Sequence, residues 1–271
     1  TLHPYMVDRV IVNRQHGCIQ SHGYVKASIS LLIFQKLKIV LFADSSMKTK
    51  IRGQDLPILD VELEKGETVY TESGGMAWKT PNIQMKTNTK GGIGKVFGRM
   101  LAGESLFMNT YTCSEGKGII SFANEFPGKI VPMDLKEGES VICQRDAFMV
   151  AQDTVDLKME FNRRVGAGIF GGEGFILQKV SGPGKAFFEF GGNITEYELK
   201  QDQMMEVDPG YLAAFQPTVE YNIQRVKGLK NMFFGGEGLF LATLKGPGKI
   251  WLQSMPLANL AAKMSKYIRK K

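Results

Sequence analysis

From Met47 to the last residue, Lys271, the chain contains no histidine; His3, His16 and His22 all precede it. That absence excludes Ser-His-Asp and Cys-His catalysis from the body and removes the imidazole donors that iron, zinc and copper sites lean on. No catalytic residue and no cofactor is expected. Cysteine is nearly as scarce, with Cys18, Cys113 and Cys143 forming no CxxC pair. A disulfide framework and a zinc knuckle are therefore excluded, and a reducing compartment is indicated. In the body, Cys113 and Cys143 read as small buried apolar residues. Long hydrophobic runs are missing too. The best, "SLLIFQKLKIVLFA" at 30–43, is too short to span a bilayer and is broken by Lys36 and Lys38. No small-residue cleavage site follows it, so residues 1–46 read as an upstream extension rather than a targeting peptide. No transmembrane segment is expected, and the reading places the protein in the cytoplasm.

Net charge is +7, but it is not spread over the chain. Residues 1–46 carry +3, and Lys263, Lys266, Arg269, Lys270 and Lys271 add +5 at the other end, which leaves the intervening body at −1. A nearly neutral body argues against nucleic acid as a partner.

What is present in abundance is glycine, 31 residues of it, in a repeating context. "GGEGFILQKVSGPGKAFFEF" at 171–190 returns 64 residues later as "GGEGLFLATLKGPGKIWLQS" at 235–254. A third, more divergent copy lies upstream. "LEKGE" (63–67), "LKEGE" (135–139) and "LKQDQ" (199–203) open the units. "TPNIQM" (80–85), "QDTVDL" (152–157) and "QPTVEY" (216–221) follow, then "GESLF", "GEGFI" and "GEGLF", and finally "EGKG" (115–118) and two "GPG" turns. Between these markers run six- or seven-residue stretches of aromatic and branched residues, which read as strands. The expected fold is all-β, three pseudo-equivalent units at about 61–134, 135–198 and 199–255 in one domain, 47–255, as a sandwich or barrel. A phosphate loop would need a glycine turn leading from strand to helix; here the turns lead from strand to strand, and "GGIGKVFGR" (91–99) lacks the P-loop spacing.

"ESGGMAWKTPNIQM" (72–85), "GESLFMNTY" (103–111), "VDPGYLAAFQPTVEYNI" (207–223) and "GGEGLFLATLKGPGKIW" (235–251) together resemble bacterial relatives of the altered inheritance of mitochondria protein 24 family. The likeness runs from about Glu62 to Gln253. It implies a triplicated short double-stranded β-helix similar to the tryptophan RNA-binding attenuation protein. It implies no established reaction.

Carboxylates and basic stretches remain as candidate sites. Glu104, Glu173 and Glu237 share one place in the three units and are the candidates for a hard-cation site, against a plainer role accepting turn amides. Asp134, Glu206 and Asp208 read as turn acids. Two stretches break the β pattern. In 91–105, Ile93, Val96, Phe97, Met100 and Leu101 share one side of an expected helix that also carries Lys95 and Arg99. In 256–271, Leu257, Leu260, Ala261, Met264 and Ile268 line one side of a second helix. Its cations are Lys263, Lys266, Arg269, Lys270 and Lys271. Packing of these apolar sides on the β body or across an oligomer contact is the preferred structural reading, and attraction to an anionic membrane surface is the functional one. Trp78 and Trp251 read as core or interface anchors. These features together point to a non-enzymatic scaffold or interaction protein, a homo-oligomer with peripheral membrane contact. A small-ligand or nucleic-acid binder is the alternative, and a metal-dependent enzyme stands behind it.

Overall fold

The computed structural model describes residues 47–72, 74–89, 107–163, 175–225, 240–265 and 267. They form nineteen strands and one short α-helix. A lead strand, β1 (Lys48–Arg52), precedes three runs of six. The first run is β2 (Ile58–Glu64), β3 (Thr68–Glu72), β4 (Met76–Lys79), β5 (Ile83–Thr89), β6 (Phe107–Cys113) and β7 (Lys117–Ala123). The second is β8 (Gly128–Leu135), β9 (Ser140–Gln144), β10 (Phe148–Gln152), β11 (Asp156–Arg163), β12 (Phe175–Ser181) and β13 (Gly184–Gly191). The third is β14 (Ile194–Leu199), β15 (Met204–Val207), β16 (Leu212–Phe215), β17 (Glu220–Arg225), β18 (Phe240–Lys245) and β19 (Gly248–Gln253), followed by α1 (Leu257–Ser265). The first run opens at Ile58, with β1 paired outside it on β2.

Within each run the first, sixth and third strands pair in that order, and so do the fourth, fifth and second. The runs are then stitched together. Strand β3 pairs β10, and β9 pairs β16, so two six-stranded sheets each combine halves of consecutive units.

The motifs that repeat in the sequence are the residues that make this backbone. "LEKGE" and its counterparts form the turn between the first two strands of a unit. Glu67 N–H donates to the Glu64 carbonyl, Glu139 N–H to Lys136, and Gln203 N–H to Lys200. The side chain of the same residue reaches back each time: Glu67, Glu139 and Gln203 accept from the amides of Glu64, Lys136 and Lys200 at 2.7, 2.9 and 3.0 Å. The turn needs positive φ, supplied by Gly66 (89°) and Gly138 (82°) and in the third unit by Asp202 (61°), a residue type that tolerates the left-handed region. Likewise Gln152 and Gln216 each accept from a backbone amide just past the GPG turn, Lys185 at 2.7 Å and Lys249 at 2.8 Å.

Packing follows the period-two alternation of the strands. In β2, Leu59, Val61 and Leu63 are fully buried while Asp60 and Glu62 face outward. Three apolar cores result. One gathers Leu59, Val61, Tyr111, Ile120 and Phe122 of the first unit; a second centres on Phe148, Phe188 and Phe190; a third holds Leu199, Leu212, Phe215, Leu244 and Ile250. Each unit carries the same β-bulge, at Ala77, Met149 and Ala213, where β4, β10 and β16 lie on the sixth strand of their unit.

Several expectations change. Trp78 is no core residue; it stands 48% exposed on β4, whereas Trp251 is half-buried and donates through Nε1 to Glu196 at 2.9 Å. Glu206 lies inside β15 and Asp134 inside β8, where it pairs with Lys185 at 3.4 Å, so neither is a turn acid. Asp208 is one, capping the amide of Gly210 at 2.9 Å.

Candidate functional site

Helix α1 starts where Pro256 sits just ahead of its first residue, and ends with Lys263 in its last turn, where a cation complements the helix dipole. The apolar side is only partly packed on the β body: Leu257 borders the cavity described below, and α1 touches the turn at Pro209–Tyr211. Among the described residues of that side Leu257, Ala261 and Met264 are exposed, Met264 by 56%, and Leu260 is half-buried; Ile268 lies outside the described residues. Lys263 is exposed beside them, and Tyr267 just beyond is 88% exposed. Of the other expected cations, Lys95, Arg99, Lys266, Arg269, Lys270 and Lys271 lie outside the described residues, as does the helix expected over 91–105. Glu104, Glu173 and Glu237 lie outside them too. Among the described residues no three His, Cys, Asp or Glu side chains are placed to share a metal ion.

A second feature was not anticipated. At the junction of the first two units a cavity of about 270 Å³ is lined by Glu72, Glu125, Asp146 and Glu189, with Arg145, Thr71 and Phe148 among its walls. Glu72 ends β3 and takes a 2.6 Å hydrogen bond from Gln178 Nε2, with Arg145 Nε 3.9 Å away. Glu189, on β13 and only 9% exposed, accepts from the Glu125 amide at 3.2 Å. Burial chiefly pushes its carboxyl up to about 7, and the neighbouring charges of Glu125 and Asp146 push the same way. Burial raises Glu72 as well, against the Gln178 hydrogen bond and Arg145.

The next junction shows what this place in the fold is for. Gln144 and Gln253 stand where Glu72 and Glu189 stand one unit earlier. Gln253 Nε2 donates to the Gly210 carbonyl at 2.9 Å and lies 3.4 Å from Gln144 Oε1, while its own carbonyl accepts from the Gly191 amide. Two amides close one junction, and two carboxyl groups occupy the other. The signal was in the opening repeat, where "GKAFFEF" aligns with "GKIWLQS" and sets Glu189 against Gln253.

Neither body cysteine is poised for chemistry. Cys143 is fully buried, and burial raises its thiol far above the ordinary range; Cys113 is buried among Asn82, Glu115 and Gly116.

A family model described as mitochondrial biogenesis AIM24 matches residues 49–255. An uncharacterised protein of Streptococcus pyogenes serotype M6 is 30% identical over 234 residues, covering 83% of this chain and 92% of its own. A Streptococcus pyogenes protein solved by X-ray crystallography superposes with a TM-score of 0.68 at 27% identity, covering 82% of this chain and all of its own. No helix among the described residues is long and apolar enough to cross a membrane.

Proposed function

The chain belongs to the mitochondrial biogenesis AIM24 family, and with that as premise we propose that it is a non-enzymatic interaction scaffold that docks peripherally on anionic membrane surfaces. The observation that carries the reading is α1, whose Ala261 and Met264 lie exposed beside Lys263. An amphipathic helix with a free apolar side and a cationic continuation binds interfaces by burial and charge together. Glu72 and Glu189 of the junction cavity fill positions that Gln144 and Gln253 fill in the next unit, so they read as joint residues rather than as a catalytic pair.

Vesicle sedimentation tests this. Each cation near an anionic surface contributes about 1 kcal/mol, screened over about 10 Å at 0.1 M salt. The protein is expected to pellet with phosphatidylserine vesicles at low salt and to be released as salt rises. Replacing Lys266, Arg269, Lys270 and Lys271 with Gln is expected to abolish pelleting without moving the thermal melt. Equal pelleting of the variant, or indifference of the parent protein to the vesicles, overturns the membrane role.

A further inference from the structure

The two joints between units share one backbone plan and are closed by different chemistry. Strand β13 lies on β10 with Phe188 opposite Phe148, as β19 lies on β16 with Leu252 opposite Leu212. That match makes Glu189 the counterpart of Gln253, and Asp146, two residues before β10, the counterpart of Gly210. At the second joint the Gln253 side chain bonds both ways. Its Nε2 donates to the Gly210 carbonyl at 2.9 Å, and its Oε1 accepts from the Gly191 amide at 2.9 Å. At the first joint Glu189 accepts from the Glu125 amide at 3.2 Å, and among the described residues no other group donates to it. An ionised carboxylate has nothing to donate to the Asp146 carbonyl; a carboxylic acid has one O–H.

The surroundings of Glu189 make that proton matter. Glu125, ahead of β8, and Asp146, in the turn before β10, both act on it with like charge. Glu72 on β3 lines the same cavity, and Arg145 stands 3.9 Å from Glu72. Strand β8 sets the apolar Ile130 opposite Glu189, and α1 brings Leu257 to the cavity while its cation, Lys263, lies in its last turn. Burial and the like charges push the Glu189 carboxyl up to about 7, so the closed joint keeps the proton below that pH and loses it above.

The base of α1 is tied to the same strand. Two residues after Glu189, the Gly191 carbonyl accepts from the Met255 amide at 3.1 Å. Beside it the Ser254 amide donates to the Asn193 carbonyl at 2.9 Å, and the Asn193 amide to the Ser254 hydroxyl at 2.8 Å. No Cβ fits between Gly191 and the Met255 carbonyl, so the two backbones are in direct contact.

We propose that the first joint is a proton-operated clasp on α1. With Glu189 protonated, its O–H donates to the Asp146 carbonyl and closes the joint as Gln253 closes the next one. With Glu189 ionised, the acids of the cavity repel, the joint opens, and the segment from Ser254 to Leu257 comes away from Gly191. The proton is exchanged with solvent through the cavity. The clasp is closed in mild acid and released as pH rises through neutrality. This deepens the scaffold reading by controlling α1, and rests on that reading only for what the freed helix binds. It is tested without lipid, so its failure is distinct from failure of membrane docking.

Hydrogen exchange of backbone amides, corrected for its intrinsic pH dependence, measures the opening. Protection of the Met255 amide is expected to fall about ten-fold between pH 6 and pH 8, the factor permitted by one carboxyl that is held near 7 when closed and returns to its ordinary range when open. The Gly246 amide, bonded to the Gln203 carbonyl in a turn of the third unit, is expected to keep its protection. In Glu189→Gln, which carries the residue found at the second joint, Met255 is expected to be equally protected at both pH values. Three results overturn the proposal: parental Met255 protection that is the same at pH 6 and pH 8, a loss at Gly246 as large as at Met255, or a Glu189→Gln chain that shows the parent's fall. The first two are read on the parent alone, whatever the variant's fold.

Discussion

Glu189 and Gln253 occupy one position in successive units, 64 residues apart, and both are nine-tenths buried; one holds an amide that donates to the Gly210 carbonyl at 2.9 Å, the other a carboxyl held near 7. The sign of the consequence is fixed. A carboxyl raised from 4.5 unfolded to about 7 folded holds its proton more tightly in the native state, so its stabilisation is complete below about 4.5 and lost as pH rises through 7. Glu125 and Asp146 face it with like charge, and Arg145 is in the same cavity. Glu189→Gln is expected to leave stability below pH 4.5 unchanged and to raise it at pH 8 by about 2–3 kcal/mol. Urea titrations at both pH values check this. Parallel pH profiles for variant and parent would show that the carboxyl is not strained by burial.

Gly184 and Gly248 are a second such pair, with φ of 139° and 142°. A Cβ at Gly184 would stand 2.6 Å from Thr154 Oγ1, and one at Gly248 would stand 2.5 Å from Thr218 Oγ1. Gly184→Ala and Gly248→Ala should each destabilise by at least about 1–2 kcal/mol, because conformational strain and the clash act together. Chemical denaturation of the two variants side by side is the measurement. Tolerance at one site with damage at the other would break the structural equivalence of the turns.

The side chains of Glu67, Glu139 and Gln203 cap the same turn three times. All three turns are exposed, so each Ala substitution should cost only about 0.5–1.5 kcal/mol. The triple variant should lose about the sum, since the turns are distant and independent. A loss confined to one turn in the thermal melts would mean that the three caps are not alike.

The architecture was legible because turn chemistry is local. "LEKGE", "LKEGE" and "LKQDQ" look alike because a glycine or aspartate at positive φ and a side chain three residues along from the capped amide are needed in each. The acidic cavity was not legible, because Glu72, Asp146 and Glu189 are far apart in sequence and meet only when β3 of one unit pairs β10 of the next. The aligned Glu189 and Gln253 hinted at a difference without saying that it was buried. Trp78 could not be told between core and interface for a related reason: β10 and β16 are fully buried apart from Gln152, but among the described residues β4, the outer strand of its sheet, has no strand on its other side. Burial of an edge residue depends on what lies beyond the edge, which local pattern does not encode.

The same reasoning separates the two forces proposed for α1. Charge draws the helix to an anionic surface at long range and is weakened by salt, whereas burial of Met264 and Tyr267 is not. Both side chains are exposed, so replacing them with Ser removes apolar area from the interface and little from the fold. Met264→Ser/Tyr267→Ser should therefore keep binding phosphatidylserine vesicles at low salt but detach at a lower salt concentration than the parent. The Gln variant of the four terminal cations should fail already at low salt. Salt titrations of vesicle sedimentation for the three proteins decide the matter. If the Ser variant detaches at the parent's salt concentration, the exposed apolar side chains do not enter the membrane, and charge alone holds the helix there.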